Sequence, residues 1–241
     1  MTRLSCHRTM NNFTPRAQQV LALARKEADR FNHNYVGTGM RASAMLHLPG
    51  LVLSELINQV VQAVGKIGLA VRGLYGEGTE AMGNLFQISN QTTLGEKEDE
   101  IINRLSKVIE TIIEKEHDAR QILLQKKSNT LCDQIGRAYG VLTYAYAMPS
   151  KEALNLLSII KLGMDLGAFP EDQRLQIDEL FIDTQPAHLQ KSSQQKLNAE
   201  ERDHLRAQII RDRLKLFPKP DISKMATESG NGSTTKPSND E

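Results

Sequence analysis

The sequence has no tryptophan and only two cysteines among its 241 residues. Cys6 and Cys132 lie far apart and lack the paired spacing of a zinc knuckle or a CxxC redox site. This usage argues against a small secreted domain held by disulfides and favours a reducing compartment. We therefore expect a cytoplasmic protein and assign neither cysteine a catalytic role.

The sequence also lacks an excess of charge and a long apolar run. The formal net charge of +1 gives no electrostatic reason to expect nucleic acid or an acidic lipid surface as a partner. The apolar stretch from Leu46 to Leu53 contains Pro49 and Gly50 and is too short to span a bilayer. The histidines are scattered without metal-ligand spacing, so we expect no metal bound by the protein itself. Any site that binds an anion must therefore be a local cluster of basic residues.

The N-terminal region divides into two parts. Residues 1–9 have no periodicity, and we interpret them as a leader. From Thr14, a good N-cap, followed by Pro15 at the first helical position, apolar residues return at helical spacing. This pattern predicts an amphipathic helix that ends near Phe31.

The middle of the chain mixes strands and helices. A glycine-rich turn leads into a mostly apolar run, Arg41 to Leu48, that predicts a buried strand. A helix is predicted from Leu51 to Ile67, and two further strands from Leu69 to Leu74 and from Leu85 to Thr93. The fold class is therefore α+β.

After Gly95 the pattern is helical throughout. Helices are predicted over residues 99–126, 130–147, 150–163, 175–190 and 198–216. Ser150 and Asn198 are the predicted N-caps of two of them, and Asn198 stands three residues before Glu201 as in a capping box. The polar composition from Pro218 onward predicts a disordered tail, residues 218–241.

Two arginines beside glycines are candidates for a phosphate site. Arg41 follows Gly37-Thr38-Gly39, and Arg72 begins the segment Arg72–Gly78. Glycine lets a backbone approach a ligand closely, and a guanidinium is a rigid fork of donors for phosphate oxygens. By spacing alone, ordinary turns with surface or ion-paired arginines are the commoner interpretation of these two stretches.

A third candidate lies on the last predicted helix. Arg202 and Arg206 are four residues apart and share a helix face, so the two could bind one anion together. The alternative is a solvated helix face on which both arginines pair with neighbouring Glu and Asp residues.

Beyond these patterns, several motifs resemble a known family. They are Gly37-Thr-Gly-Met-Arg-Ala-Ser-Ala-Met-Leu-His-Leu-Pro49, Val71-Arg-Gly-Leu-Tyr-Gly-Glu-Gly78, Phe86-Gln-Ile-Ser-Asn-Gln91, Arg137-Ala-Tyr-Gly-Val-Leu142 and Leu162-Gly-Met-Asp-Leu-Gly167. In order and separation they resemble the C-terminal domain of phosphagen (guanidino) kinases, in the version found in bacterial protein arginine kinases. The resemblance covers residues 36–217. It implies a partial phosphagen kinase C-terminal domain, with an antiparallel sheet remnant flanked by helices and an α-helical C-terminal half.

The resemblance also implies an activity and a site. The expected reaction is the ATP-dependent phosphorylation of arginine residues in proteins, with Mg²⁺ carried by the nucleotide. By carry-over, the ATP-binding residues are Arg41, Ala42, Ser43, Ala44, Met45, Arg72, Gly73, Leu74, Tyr75, Gly76 and Glu77.

The third candidate matches the family's RDxxRA motif, which resembles an allosteric pocket for phosphoarginine. The residues that carry this match are Arg202, Asp203, His204, Leu205, Arg206 and Ala207.

The sequence departs from the family before residue 36. A complete kinase of this type carries there a small N-terminal domain, further arginines and the acidic residues that engage the guanidinium. The family's reactive cysteine aligns with Asn32 here, so no catalytic residue is assigned. Instead, residues 10–38 resemble the first helix of the N-terminal domain of Clp chaperone ATPases. The two resemblances meet at Val36-Gly37-Thr38, which predicts a junction between two coding sequences.

Two hypotheses of function follow. The first is an ATP:guanidino phosphotransferase of the protein arginine kinase type, incomplete and expected to be inactive alone. The second is a non-catalytic module that binds phosphoarginine or pairs with a complete kinase. The partners implied are ATP, substrate arginines, Clp ATPase machinery, and a kinase partner or a second copy of the chain. The loss of sheet partners predicts marginal stability.

Overall fold

The structure is a computed structural model that describes residues 39–73, 81–93, 96–193 and 195–227. Within the predicted N-terminal helix it describes Gln19, Ala22, Leu23 and Lys26, all helical and exposed. The expectations about the leader, about Asn32 and about the junction at residues 36–38 lie outside the described residues.

The three predicted strands form one antiparallel sheet. Strand β1 is Ser43–His47, β2 is Leu69–Gly73 and β3 is Leu85–Asn90. Their order is β1-β3-β2, so β3 pairs with both neighbours. The prediction of a small antiparallel sheet flanked by helices is confirmed.

Two short helices replace the single helix predicted from Leu51 to Ile67. Helix α1 is Pro49–Leu53 and α2 is Ile57–Lys66. The chain turns between them at Glu55, whose φ of 63° is incompatible with a continuous helix. Apolar periodicity continues across this turn, which is why the sequence pattern did not reveal it.

Helix α3 runs from Glu98 to Tyr144 as a single element of 47 residues. The sequence pattern predicted two helices separated near residue 128. The structure has a kink at that place, since Lys127 has φ −134° and ψ 29°.

The remaining helices form the C-terminal half. They are α4 Ser150–Asp165, α5 Arg174–Asp183, α6 Pro186–Ser192, α7 Ala199–Leu214 and α8 Ile222–Thr227. The helix predicted over residues 175–190 is divided between α5 and α6. Gln185 is extended there because the proline that follows it disfavours a helical conformation.

One of the two predicted N-caps is confirmed. The Glu201 N–H donates to Asn198 Oδ1 at 2.9 Å, and the Asn198 N–H donates to Glu201 Oε2 at 2.7 Å. The prediction for Ser150 is wrong, because Ser150 is the first residue of α4 and Pro149 precedes it without a side-chain cap.

The predicted disorder from Pro218 onward is wrong for the first part of the tail. The Asp221 N–H donates to the carbonyl oxygen of Ala168 at 2.8 Å, and α8 follows. Met225 on α8 is only 2% exposed within the helical core. A few apolar residues spaced among polar ones are therefore sufficient to fix this segment.

The described residues form two hydrophobic clusters. One lies beneath the sheet and includes Leu51, Leu69, Phe86 and Ile88. The other fills the helical half and includes residues of α3, α4, α5, α7 and α8. Helix α3 contributes to both clusters, so it joins the sheet to the helical half. Among the described helices, none combines the length and the apolar character needed to cross a membrane.

Candidate functional site

The sheet has one face in the core, and a second face, here called the open face, that is exposed at Ser43, Met45 and Arg72 and buried at Ala70 and Ser89. Side chains alternate along a strand, so residues 42, 44 and 46 of the first strand share a face with Phe86 and Ile88, which are fully buried. Arg41, Ser43 and Met45 point to the opposite face and are exposed. The predicted ATP segment therefore divides into half-buried residues on the core side, Ala42 and Ala44, and exposed residues that a ligand can reach.

Arg41 lies at the start of this open face. One of its guanidinium nitrogens is 3.5 Å from the hydroxyl oxygen of Ser89, a buried residue of β3. At this distance the contact is weak, so it leaves the guanidinium available to a stronger acceptor.

The backbone beneath Arg41 is held by Asn90. The buried Asn90 side chain accepts a hydrogen bond from the Ala42 N–H at 2.8 Å and donates to the Met40 carbonyl at 3.0 Å. Sequence reasoning did not single out Asn90, although it lies within a family motif. A polar residue at the end of an apolar strand was the signal that could have identified it.

Arg72 lies on the same open face. It is exposed, and it stands level with Gln87 of β3 and, one strand farther, with Met45 of β1. The neighbouring Gly73 faces the core and is buried opposite Phe86. Leu74, Tyr75, Gly76 and Glu77, the rest of this predicted segment, lie outside the described residues.

The two arginines thus lie on one surface, Arg41 two residues before β1 and Arg72 on β2, the two strands that flank β3. Strand spacing and rise place their Cα atoms about 16 Å apart, across the floor made by Ser43, Met45 and Gln87. Over this distance two long cationic side chains can extend toward a ligand that lies between them. Neither arginine has a carboxylate partner among the described ion pairs. The arrangement therefore suits a polyanion such as a nucleotide triphosphate.

The C-terminal end of β1 leads to a network of charged side chains. The carboxylate of Glu116 accepts hydrogen bonds from the N–H groups of Gly50 and Leu51, at 2.8 and 2.9 Å, at the start of α1. Arg120 pairs with Glu116 at 2.6 Å and with Asp165 at 2.8 Å. This chain of charges ties α1 and α3 to the end of α4.

His47 lies beside this network. Burial, and to a lesser extent the charges of Lys161 and Arg120, lower the pKa of His47 to about 3. The ring is therefore neutral at physiological pH. Its Nδ1 atom has no hydrogen-bond partner within the described structure, whereas Nε2 contacts Ser158.

The RDxxRA motif lies on α7, away from the sheet. Arg206 is 1% exposed, and its guanidinium donates to the carbonyl oxygens of Thr184 and Met148, at 2.9 and 2.7 Å, and to the Asp203 carboxylate. Neither interpretation of this motif, an anion-binding pair or a solvated helix face, predicted that Arg206 would be buried. In this conformation Arg206 joins α7 to the end of α5 and to the α3–α4 loop.

The other residues of the motif differ in exposure. Arg202 is half-buried and donates to the Leu197 carbonyl at 2.8 Å. His204 is exposed and Ala207 is buried, while Leu205 is half-buried. The structure therefore does not present Arg202 and Arg206 as an exposed pair, and the phosphoarginine role of the motif stays a prediction.

Two family models match this chain. The C-terminal catalytic domain of ATP:guanido phosphotransferases matches residues 30–119, which include the sheet. The C-terminal domain of the protein-arginine kinase McsB matches residues 128–225, which form most of the helical half. The second match extends through most of α8, in agreement with the ordered segment beyond Pro218.

Curated relatives give the same indication. The chain is 50% identical over 181 residues to the protein-arginine kinase of Brevibacillus brevis, and 49% identical over the same length to those of Bacillus mycoides and Bacillus anthracis. Each alignment covers 75% of this chain and 51% of the relative. The chain therefore spans about half the length of these relatives.

Proposed function

We propose, from the membership of this chain in the protein-arginine kinase family, that its sheet binds ATP for the phosphorylation of arginine residues in proteins. The terminal phosphoryl group would pass to a guanidinium nitrogen of the substrate, ADP would leave, and a proton would be released. The observation that carries the proposal is that Arg41 and Arg72 share the open face of the sheet.

Phosphoryl transfer requires positioning and the neutralisation of charge more than covalent chemistry by the protein. Two exposed guanidinium groups supply both, because each can donate two parallel hydrogen bonds to phosphate oxygens. Mg²⁺ would arrive with the nucleotide. Within the described residues, no group of three or more His, Cys, Asp or Glu side chains could hold a metal ion.

Residues between and beside the two arginines complete the proposed site. Ser43 and Met45 form its floor, and the predicted ATP-binding residues Leu74–Glu77 follow β2 in the sequence. Ser89 and Ala70 on this face are buried whereas Arg41 and Arg72 are exposed, so the nucleotide would gain most of its affinity from the two arginines.

The family favours a kinase over a non-catalytic module, since the relatives described above are named as kinases. For the whole reaction, we propose arginine-bearing proteins as substrates in the cytoplasm. Clp ATPase machinery and a kinase partner or second copy remain the proposed protein partners. We propose these partners from the sequence resemblance.

A calorimetric titration of the full chain with ATP and Mg²⁺ tests the site. We expect saturable binding that Arg41→Ala and Arg72→Ala each weaken by about tenfold or more, since each removes hydrogen bonds between charged groups. Arg137→Ala is the matched control, because the Arg137 side chain is 76% exposed on α3 and pairs with Asp133 of the same helix. Absence of binding, or equal affinity in all variants, would refute the proposal.

Transfer to arginine is tested separately. The chain is incubated with ATP and an unfolded, arginine-rich protein, and phosphoarginine is detected by mass spectrometry under conditions that preserve the acid-labile bond. Product that depends on Arg41 and Arg72 supports the kinase. ATP binding without product would limit the function to nucleotide binding.

A further inference from the structure

One face of α4 contacts the ends of two strands of the sheet. Asn155 and Ser158 lie three residues apart, so their side chains are neighbours on the helix surface. Asn155 Oδ1 accepts a hydrogen bond from the Gly83 N–H at 2.9 Å. The Ser158 hydroxyl accepts one from Asn84 Nδ2 at 2.7 Å and lies 2.8 Å from His47 Nε2. Gly83 and Asn84 lead into β3, and His47 ends β1.

The same two strand ends are joined by their backbones. The Leu48 N–H, next to His47, donates to the Asn84 carbonyl at 2.9 Å. The turn before β3 is also packed tightly against α4, because a Cβ atom at Gly83 would lie 3.1 Å from the Leu154 carbonyl oxygen. The start of β3 and the end of β1 are therefore held together at one place on α4.

These contacts are sheltered from water. Ser158 is fully buried, and His47 is a half-buried, neutral ring whose Nδ1 atom is buried. A buried donor or acceptor that loses its protein partner has no water to replace it, so such contacts resist rearrangement. Asn155, in contrast, is exposed at the edge of the contact.

We propose that Asn155 and Ser158 are positioning residues for the nucleotide-binding strands. Because they fix the end of β1 and the start of β3, they set the placement of Arg41, two residues before β1, relative to Arg72 on β2. The helical half of the chain thereby controls ATP affinity without contributing a side chain to the open face. This inference rests on the proposed ATP site.

The first test is the affinity for ATP of Asn155→Ala, measured on the full chain by calorimetry. Asn155 is exposed, so its truncation leaves no buried cavity and the fold persists. We expect the dissociation constant to rise by about three- to tenfold, the factor that corresponds to one hydrogen bond. Asn155→Asp should retain the wild-type affinity, because a carboxylate oxygen still accepts from the Gly83 N–H.

Ser158→Ala should weaken ATP binding at least as much, since it leaves His47 Nε2 and Asn84 Nδ2 without their partner. Ile177→Val is the control for a general loss of stability. Ile177 is fully buried in the helical cluster on α5. Its shortening should leave ATP affinity unchanged.

Hydrogen exchange gives a readout that does not depend on the nucleotide. In Asn155→Ala the amides of residues 83–86 and 43–48 should exchange about three- to tenfold faster, whereas those of α7 should not change. If the wild-type chain binds no ATP, the proposed function fails, and faster exchange then supports only the anchoring of the strands. Unchanged exchange in both alanine variants, or faster exchange with unchanged ATP affinity, overturns the positioning role.

Discussion

The Nε atom of Arg206 donates a hydrogen bond to the carbonyl oxygen of Thr184, 2.9 Å away, where α5 ends. The carbonyls at the end of a helix have no partner within it. Arg206 supplies one from the interior of the protein, and its Nη1 reaches the Met148 carbonyl at 2.7 Å as well. Arg206, which the sequence predicted to bind a ligand, thus connects three segments of the chain.

Arg206→Ala should therefore destabilise the fold by about 3–5 kcal/mol, because the Asp203 carboxylate and two carbonyls lose a buried cation. Urea unfolding followed by circular dichroism measures the change. Arg202→Ala is the control and should cost less than about 1.5 kcal/mol, since half-buried Arg202 makes one hydrogen bond to a carbonyl. Equal, small effects would contradict the structural role of Arg206. For the same reason, Arg202→Ala is the better variant for testing phosphoarginine binding.

Asn198→Ala should cost about 1 kcal/mol, because the first turn of α7 loses its side-chain cap. Ser150→Ala serves as its comparison. Ser150 is the first residue of α4 and does not cap it, so its replacement should cost less than about 0.5 kcal/mol. The urea midpoints of unfolding of the two variants measure these losses of stability. Similar losses in both variants would show that the caps are wrongly assigned.

Stability should fall as the pH is lowered from 7.5 to 5. The pKa of His47 is about 3 in the folded protein and 6.5 when unfolded, so the unfolded state binds a proton that the folded state excludes. The stabilisation from neutral His47 is complete well above pH 6.5 and decreases as the pH falls toward 3. At pH 5 the loss should be about 2 kcal/mol. In His47→Gln this part of the pH dependence should disappear, and an unchanged slope would rule out His47 as its source.

Met225→Ala should destabilise the protein by about 2–4 kcal/mol, because Met225 is 2% exposed in the helical cluster. Leu216→Ala is the matched control, since Leu216 is 96% exposed and its loss should change stability by less than about 0.5 kcal/mol. Thermal unfolding distinguishes the two. A Met225 variant as stable as the Leu216 variant would mean that α8 does not dock.

Many elements of this fold were predictable because their signals are local. The apolar runs at β1, β2 and β3, the cap at Asn198 and the periodicity of α7 depend on neighbouring residues, and the structure has them where they were expected. The breaks were harder to predict. The turn at Glu55 and the division at Gln185 interrupt apolar patterns that are continuous in sequence, because tertiary packing, not periodicity, ends those helices.

The candidate site was predictable only in part. Arg41 and Arg72 could be chosen from their glycine neighbours and from the family motifs, but their common face depends on the register of both strands with β3. The role of Asn155 and Ser158 could not be predicted, because their partners are 72 to 111 residues away. No local pattern records such a contact.

By itself, the sequence determined the α+β class, the family resemblance and the choice of arginines for the candidate site, since composition, periodicity and motif order are properties of the chain alone. The tertiary structure decided that Arg206 is buried, that α8 docks and that α4 holds the sheet. These outcomes depend on which groups are removed from water when distant segments pack together. The free energy of that burial depends on the folded structure and cannot be read from neighbouring residues in the sequence.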